Sequence, residues 1–156
     1  GFRNQFLTMT SGTGVLNSIF DHYGPVKAGE VAARQNGVLV SMVAGKVLGY
    51  ALFSLQERGR LFIGPNIEVY EGQLIGIHSR DNDLAVNPTK GKQLTNVRAA
   101  GSDENILLTP PIRMSLEQAL DFIDEDELVE VTPQSIRLRK KLLKEVERRR
   151  AGRREE

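Results

Sequence analysis

The sequence predicts an α+β fold. Short, mainly antiparallel strands dominate residues 31–136 in a barrel-like arrangement, and one clear helix falls at 115–123. Three observations lead there. Short apolar runs recur between Gly and Pro breaks, the mark of strands joined by turns. Ser115 stands three residues before Gln118, a capping-box pattern, and Leu116, Ala119, Leu120 and Ile123 then form one helical face. The chain has 156 residues and is 40% hydrophobic, enough for one ordinary domain or one domain plus a piece of another.

The elements follow in order. Phe2, Phe6 and Leu7 have the spacing of an amphipathic helix over 2–9, stopped by Ser11-Gly12-Thr13-Gly14. Residues 15–23 predict a strand, ended by Gly24-Pro25. One helix and one strand cannot fold alone, so this piece needs partners, and a second copy of the chain is one candidate. Gly37 to Val43 is a strand with Val38, Val40 and Met42 on one face. Gly45-Lys46 reads as a turn. Residues 51–56 suit a short helix ended by Gly59. Residues 60–63, 67–70 and 73–78 read as short strands. Ile106 to Leu108 is a further strand, cut by Pro110-Pro111. After the helix, 128–131 and 136–138 read as strands flanking Thr132-Pro133. Leu142, Leu143 and Val146 give the C-terminal tail a weak helical stripe, but Arg148 to Glu156 offers nothing to bury and is expected to fray.

Leu84 to Ser102 contains no Asp or Glu and carries Lys90, Lys92 and Arg98. Its centre, Asn87-Pro88-Thr89-Lys90-Gly91-Lys92-Gln93, resists packing into a core. Long loops without structure of their own are uncommon in compact domains and are often functional. A purely basic one reaches for an anion, and a phosphate backbone is the natural partner. Charge is also divided along the chain. Residues 1–136 hold eleven bases against sixteen acids, a net −5, whereas residues 137–154 hold ten bases against two acids, a net +8. Seven of the acids lie in 117–130, which contains no base. An acidic body with a basic tail suits a nucleic-acid partner, with Arg139, Lys140 and Lys141 as candidate contacts at the start of the tail.

Other chemistries find little support. Neither Gly45-Lys46 nor Gly91-Lys92 completes a phosphate-binding P-loop. Val40 and Val86 stand where its first Gly is needed, and Val47 and Gln93 where its hydroxyl is needed. The chain is therefore not expected to be an enzyme by itself or to bind a cofactor. Asp81-Asn82-Asp83 begins like a calcium loop, but Ala85 and Val86 replace an oxygen ligand and the turn glycine. There are no cysteines, and the two histidines, His22 and His78, lie far apart, so a metal site is not expected. No apolar run approaches the roughly 20 residues that span a bilayer, and no secretory signal is visible. The chain begins with Gly, as a fragment would.

The stretch Gly1-Phe2-Arg3-Asn4-Gln5-Phe6-Leu7-Thr8-Met9-Thr10-Ser11-Gly12-Thr13-Gly14, with Phe20-Asp21-His22-Tyr23-Gly24-Pro25-Val26, resembles the second half of domain V in translational GTPases of the elongation factor G type, in particular the BipA/TypA family. Asn36-Gly37-Val38-Leu39, Leu55-Gln56-Glu57-Arg58-Gly59, Glu68-Val69-Tyr70-Glu71-Gly72, Lys92-Gln93-Leu94-Thr95-Asn96-Val97-Arg98-Ala99, Pro110-Pro111-Ile112-Arg113-Met114 and Asp126-Glu127-Leu128-Val129-Glu130-Val131-Thr132-Pro133 resemble the C-terminal domain peculiar to that family. The resemblance implies an incomplete ferredoxin-like domain V piece over 1–30 and the family's C-terminal domain over 31–156, with the basic tail from about 137. It implies a cytoplasmic, ribosome-associated parent linked to assembly of the large subunit and to stress adaptation, with GTP and Mg bound in an N-terminal domain outside this chain. It also implies contacts to ribosomal RNA and A-site tRNA through Lys90, Lys92, Gln93, Asn96 and Arg98. The family pattern carries a second Lys where Gln93 stands, so one charge is absent here. The alternative is a protein-interaction module using the acidic 117–130 face and the basic tail.

Overall fold

The computed structural model describes residues 2–24, 34–91 and 107–155. The chain divides into two compact units, Gly1–Arg34 and Gln35–Glu156. In the first, α1 (Phe2–Met9) forms where the spacing predicts it. It ends as Ser11 and Gly12 take left-handed backbone angles (φ 51° and 78°), and the Gly12 N–H donates to the Leu7 carbonyl at 2.7 Å. The strand expected at 15–23 does not form. A strand exists only where its backbone groups find a ladder, and the described residues of this unit supply none. Val15, Ile19, Phe20 and Tyr23 are exposed.

The second unit is built on a six-stranded sheet. Its strands are β1 (Val38–Ser41), β3 (Gly59–Leu61), β5 (Gln73–His78), β6 (Leu84–Val86), β7 (Glu127–Val131) and β8 (Ile136–Lys140). The order is β6-β1-β5-β8-β7, with β3 also on β5. All pairs are antiparallel except β1 with β6. A second ribbon joins β2 (Gly45–Lys46) to β4 (Glu68–Val69), so the turn expected at Gly45-Lys46 is a short strand instead. The α+β class and the antiparallel bias are as predicted. The sheet stays open, with β6 and β7 at its edges.

The centre of the sheet is covered on both faces, which explains why Val38–Val40 reads as an apolar run and why β1 is buried at every position. On one side Leu39 and Ile75 pack with Val47, Leu52, Leu61, Ile63, Val69 and Val86, beneath α2 (Gly49–Leu55). On the other, Val38, Val40, Leu74 and Leu138 pack with Ala119 of α3 (Leu116–Phe122). Phe62 reaches both clusters and meets Phe122 edge-on at 5.6 Å. α3 carries the capping box in full: the Ser115 hydroxyl accepts from the Gln118 N–H and the Gln118 side chain accepts from the Ser115 N–H. The central strand β5 shares one edge between β8, at Gln73–Leu74, and β3, at Gly76–His78.

The tail is helical rather than frayed. α4 (Glu145–Glu155) starts where the Glu71 carboxylate accepts the Glu145 N–H at 3.1 Å. Arg149 pairs with Glu145 one turn back, and the Arg148 guanidinium donates to the carbonyls of Leu142 and Leu143.

The β3–β5 pairing requires Gly59, because a Cβ there would lie 1.8 Å from the Ile77 carbonyl oxygen. Gly59→Ala should therefore force the ladder apart and cost about 1–3 kcal/mol or more in urea unfolding; an unchanged midpoint would contradict this packing.

Candidate nucleic-acid interface

The acid-free segment is rooted on the sheet at one end. β6 takes its first residues, so Leu84, Ala85 and Val86 lie in register beside Leu39, Val40 and Ser41 of β1. The loop proper starts later than the sequence suggests, at Asn87. The chain is then held residue by residue. The Met42 N–H donates to the Val86 carbonyl, and the Leu48 N–H donates to the carbonyl of the buried Pro88 at 3.0 Å. The Asn87 side-chain oxygen accepts both the N–H and the hydroxyl of Thr89, at 2.9 and 2.7 Å, closing an Asx turn. Lys90 follows, exposed, and Gly91 lies against the Leu48 side chain.

The returning end is held by one side chain. Gln56 caps the C-terminus of α2. Its amide nitrogen donates to the Leu107 carbonyl at 3.0 Å, and its amide oxygen accepts the Thr109 N–H at 3.0 Å. Gln56 thus acts as a one-residue strand. This explains why Leu107 and Leu108 form no strand of their own despite their apolar pattern: the backbone is already satisfied. Ile112 is then fixed to the Leu61 carbonyl. The segment leaves beside the first residues of α2 and returns beside its last.

Of the residues singled out in the sequence, Lys90 stands at the first of these feet. Lys92, Gln93, Asn96 and Arg98 lie outside the described residues. Lys141 is exposed directly after β8, its N–H donating to the Asp126 carbonyl. Arg139 is half-buried on β8 opposite Leu128. Nearby, the Tyr70 hydroxyl donates to Glu130 at 2.6 Å, and burial together with that carboxylate holds the phenol protonated well above its usual range, against the opposing pull of Arg139 and Arg137.

Lys140 is oriented quite differently from its neighbours. Its side chain is 3% exposed, and its ammonium lies 2.6 Å from Asp83, 2.8 Å from Asp126 and 3.0 Å from Glu127. Glu127 is fully buried, and its other oxygen accepts the Asp124 N–H. The other oxygen of Asp83 accepts the Val38 N–H at 2.9 Å. Burial by itself would lower the Lys140 pKa, but hydrogen bonds from Asp126, Asp83 and Glu127 outweigh it, and the net direction is up from 10.5. The alternation of β8 carries a signal for this placement, since Lys140 shares a face with the buried Leu138. In this structure, then, the Lys140 ammonium is buried and paired with three carboxylates. No group of side chains among the described residues is arranged to hold a metal ion, and no helix among them is long and apolar enough to cross a membrane.

The second unit is thus a two-faced α+β sheet in which the ends of a long connection, at Lys90 and at Leu107, are fixed beside the two ends of one short helix. The family model of the TypA/BipA C-terminal domain matches residues 36–145, and the chain belongs to that family. It is 66% identical over 153 residues to a protein of Haemophilus influenzae named large ribosomal subunit assembly factor BipA. It is 65% identical to the protein of that name in Salmonella typhimurium and 56% identical to that of Buchnera aphidicola. In each case 98% of the chain is covered, and the chain spans 25% of the relative's length.

Two expectations follow. Lys140→Ala strands the buried Glu127 and should cost about 3–5 kcal/mol in urea unfolding, whereas Lys140→Met combined with Glu127→Leu should recover most of that. Because the folded pKa of Lys140 is raised, its contribution is complete at neutral pH and is lost only as pH climbs above 10.5 towards the folded value. Gln56→Ala should expose the Thr109 amide to hydrogen exchange while lowering global stability by only about 1–2 kcal/mol. Unaltered Thr109 protection would show that the clamp does not hold the returning end.

Proposed function

We propose that this chain is an RNA-docking region of a larger, cytoplasmic, ribosome-associated GTP hydrolase that assists assembly of the large ribosomal subunit. The observation that carries the reading is the acid-free sequence from Leu84 to Ser102, whose first residues are rooted on β6 and at α2 as far as Lys90. Lys90, Lys92 and Arg98 neutralise phosphates, while Gln93 and Asn96 hydrogen-bond sugars or base edges. Arg139, Lys141 and the exposed Arg150 and Arg153 of α4 extend the positive surface. Lys140, spent on its carboxylates, is not among these contacts. The name of the relatives, large ribosomal subunit assembly factor, supports ribosomal RNA as the polyanion.

Within the same reading, the acceptor end of A-site tRNA is a second RNA partner, and the parent protein serves adaptation to stress. Residues 1–30 are the second half of an elongation factor G-like domain V, completed by preceding sequence or by a second copy of the chain. GTP and Mg belong to a nucleotide-binding domain elsewhere in the longer protein, and the fragment itself turns over no GTP. The competing reading is protein docking through the acidic 117–130 face. It gains some support from α3, where Leu116 and Leu120 are exposed beside Glu117 and Asp121.

The test is the salt dependence of binding to purified large-subunit RNA. Each phosphate contact adds roughly 0.7–0.9 to the steepness of log affinity against log salt, so Lys90→Ala with Lys92→Ala should flatten the slope by about 1.4–1.8. A folded double variant with the wild-type slope would refute the role of the loop.

A further inference from the structure

α2 turns two aromatic rings outward, beside the exposed Ser54. Ala51 and Leu52 are buried, and Leu55 packs against the same core. Tyr50 and Phe53, three residues apart and hence neighbours on one side of the helix, are each 43% exposed. Leu48, at the N-cap, is 37% exposed. Nothing in the packing of the core calls for two aromatic rings there, since a solvent face is normally polar.

Their setting suggests a purpose. The helix has seven residues, so it is about 10 Å long. The acid-free segment departs beside its first residues, through Leu48 with Pro88 and Gly91, and Leu107 and Thr109 are held at its last by Gln56. Lys46 and Lys90 are both exposed, and the two strips that carry them touch: the Thr89 methyl lies 3.3 Å from the Cβ position of Gly45. Glu68 stands opposite Lys46 in the β2–β4 ladder, and Glu57 follows the helix, so Lys90 is the stronger cation of the group.

We infer that the outer face of α2 is a stacking platform for unpaired RNA bases, with Tyr50 and Phe53 covering base faces while Lys90 and Lys46 hold the adjoining phosphates. Aromatic rings interleaved with cations are the chemistry that single strands and loops require. A continuous duplex hides its base faces and offers only backbone. The inference rests on the RNA-docking reading and narrows it to unpaired RNA.

The experiment uses this chain with a short RNA carrying 2-aminopurine, single-stranded or annealed to its complement. Stacking should quench the fluorescence on binding of the single strand, and the duplex should bind more weakly. Tyr50→Leu and Phe53→Leu should each weaken single-strand binding about 5- to 150-fold with no change of salt slope, while Tyr50→Phe binds like wild type. Leucine variants that bind and quench like wild type, beside a Lys90→Ala, Lys92→Ala variant with a flattened slope, would overturn the platform and leave the loop reading standing. If neither set of variants altered binding, both readings would fall together. Because wild-type quenching needs no variant, its absence on binding would overturn the platform even if a leucine variant misfolded. Equal affinity for the duplex would do the same.

Discussion

The buried ammonium of Lys140 is the constraint on which the candidate site depends. It binds β8 to the start of β7 through Asp126 and Glu127, and to the entrance of β6 through Asp83. Asp83 spends its second oxygen on the Val38 N–H, at the start of β1. One cation therefore joins three parts of the sheet and helps to set the parallel register of β6 beside β1. That register decides where Pro88 meets Leu48 and so where Lys90 emerges. A buried charge with three acceptors is costly to dismantle piecemeal, because removing the cation leaves Glu127 ionised or forced to protonate in an apolar surrounding.

The two-sided sheet is the second condition. With α3 covering one face and α2 the other, the central strands β1 and β5 are buried on both sides. What remains for recognition is the periphery: the outer face of α2, the feet of the loop, and the arginines of α4. α2 is anchored in the core through Leu52 and Leu55, and the other two are fixed by hydrogen bonds. The Asx turn at Asn87 and the amide of Gln56 hold the two feet, and the Glu71 carboxylate starts α4. Such contacts are individually weak, which leaves these positions easier to open than the sheet they stand on.

Much of the fold was legible in local pattern. The capping box at Ser115 and the run Val38–Ser41 each follow a rule that tertiary context does not override here. The failures have physical causes. Val15 to Tyr23 has strand composition, but pairing is a property of two segments, and one sequence window shows only one of them. Charge alone groups Lys140 with the basic tail, whereas its parity with Leu138 on β8 accounts for its burial. The tail was judged by its lack of apolar residues, yet its helix begins on a carboxylate 74 positions earlier in the chain, a contact no local reading can supply. The basic loop was visible from composition alone. Its return clamp was not, because Gln56 is an unremarkable residue until Leu107 and Thr109 arrive beside it.

The account stands most directly on where RNA lies relative to α2. A cryo-EM reconstruction of this chain bound to the large ribosomal subunit would decide it. The account predicts an unpaired RNA segment against Tyr50 and Phe53, with Lys90 on its phosphate backbone and Lys140 still enclosed by Asp83, Asp126 and Glu127. Density with α2 turned to solvent or to ribosomal protein, and RNA contacting only the acidic 117–130 side or nothing at all, would contradict it.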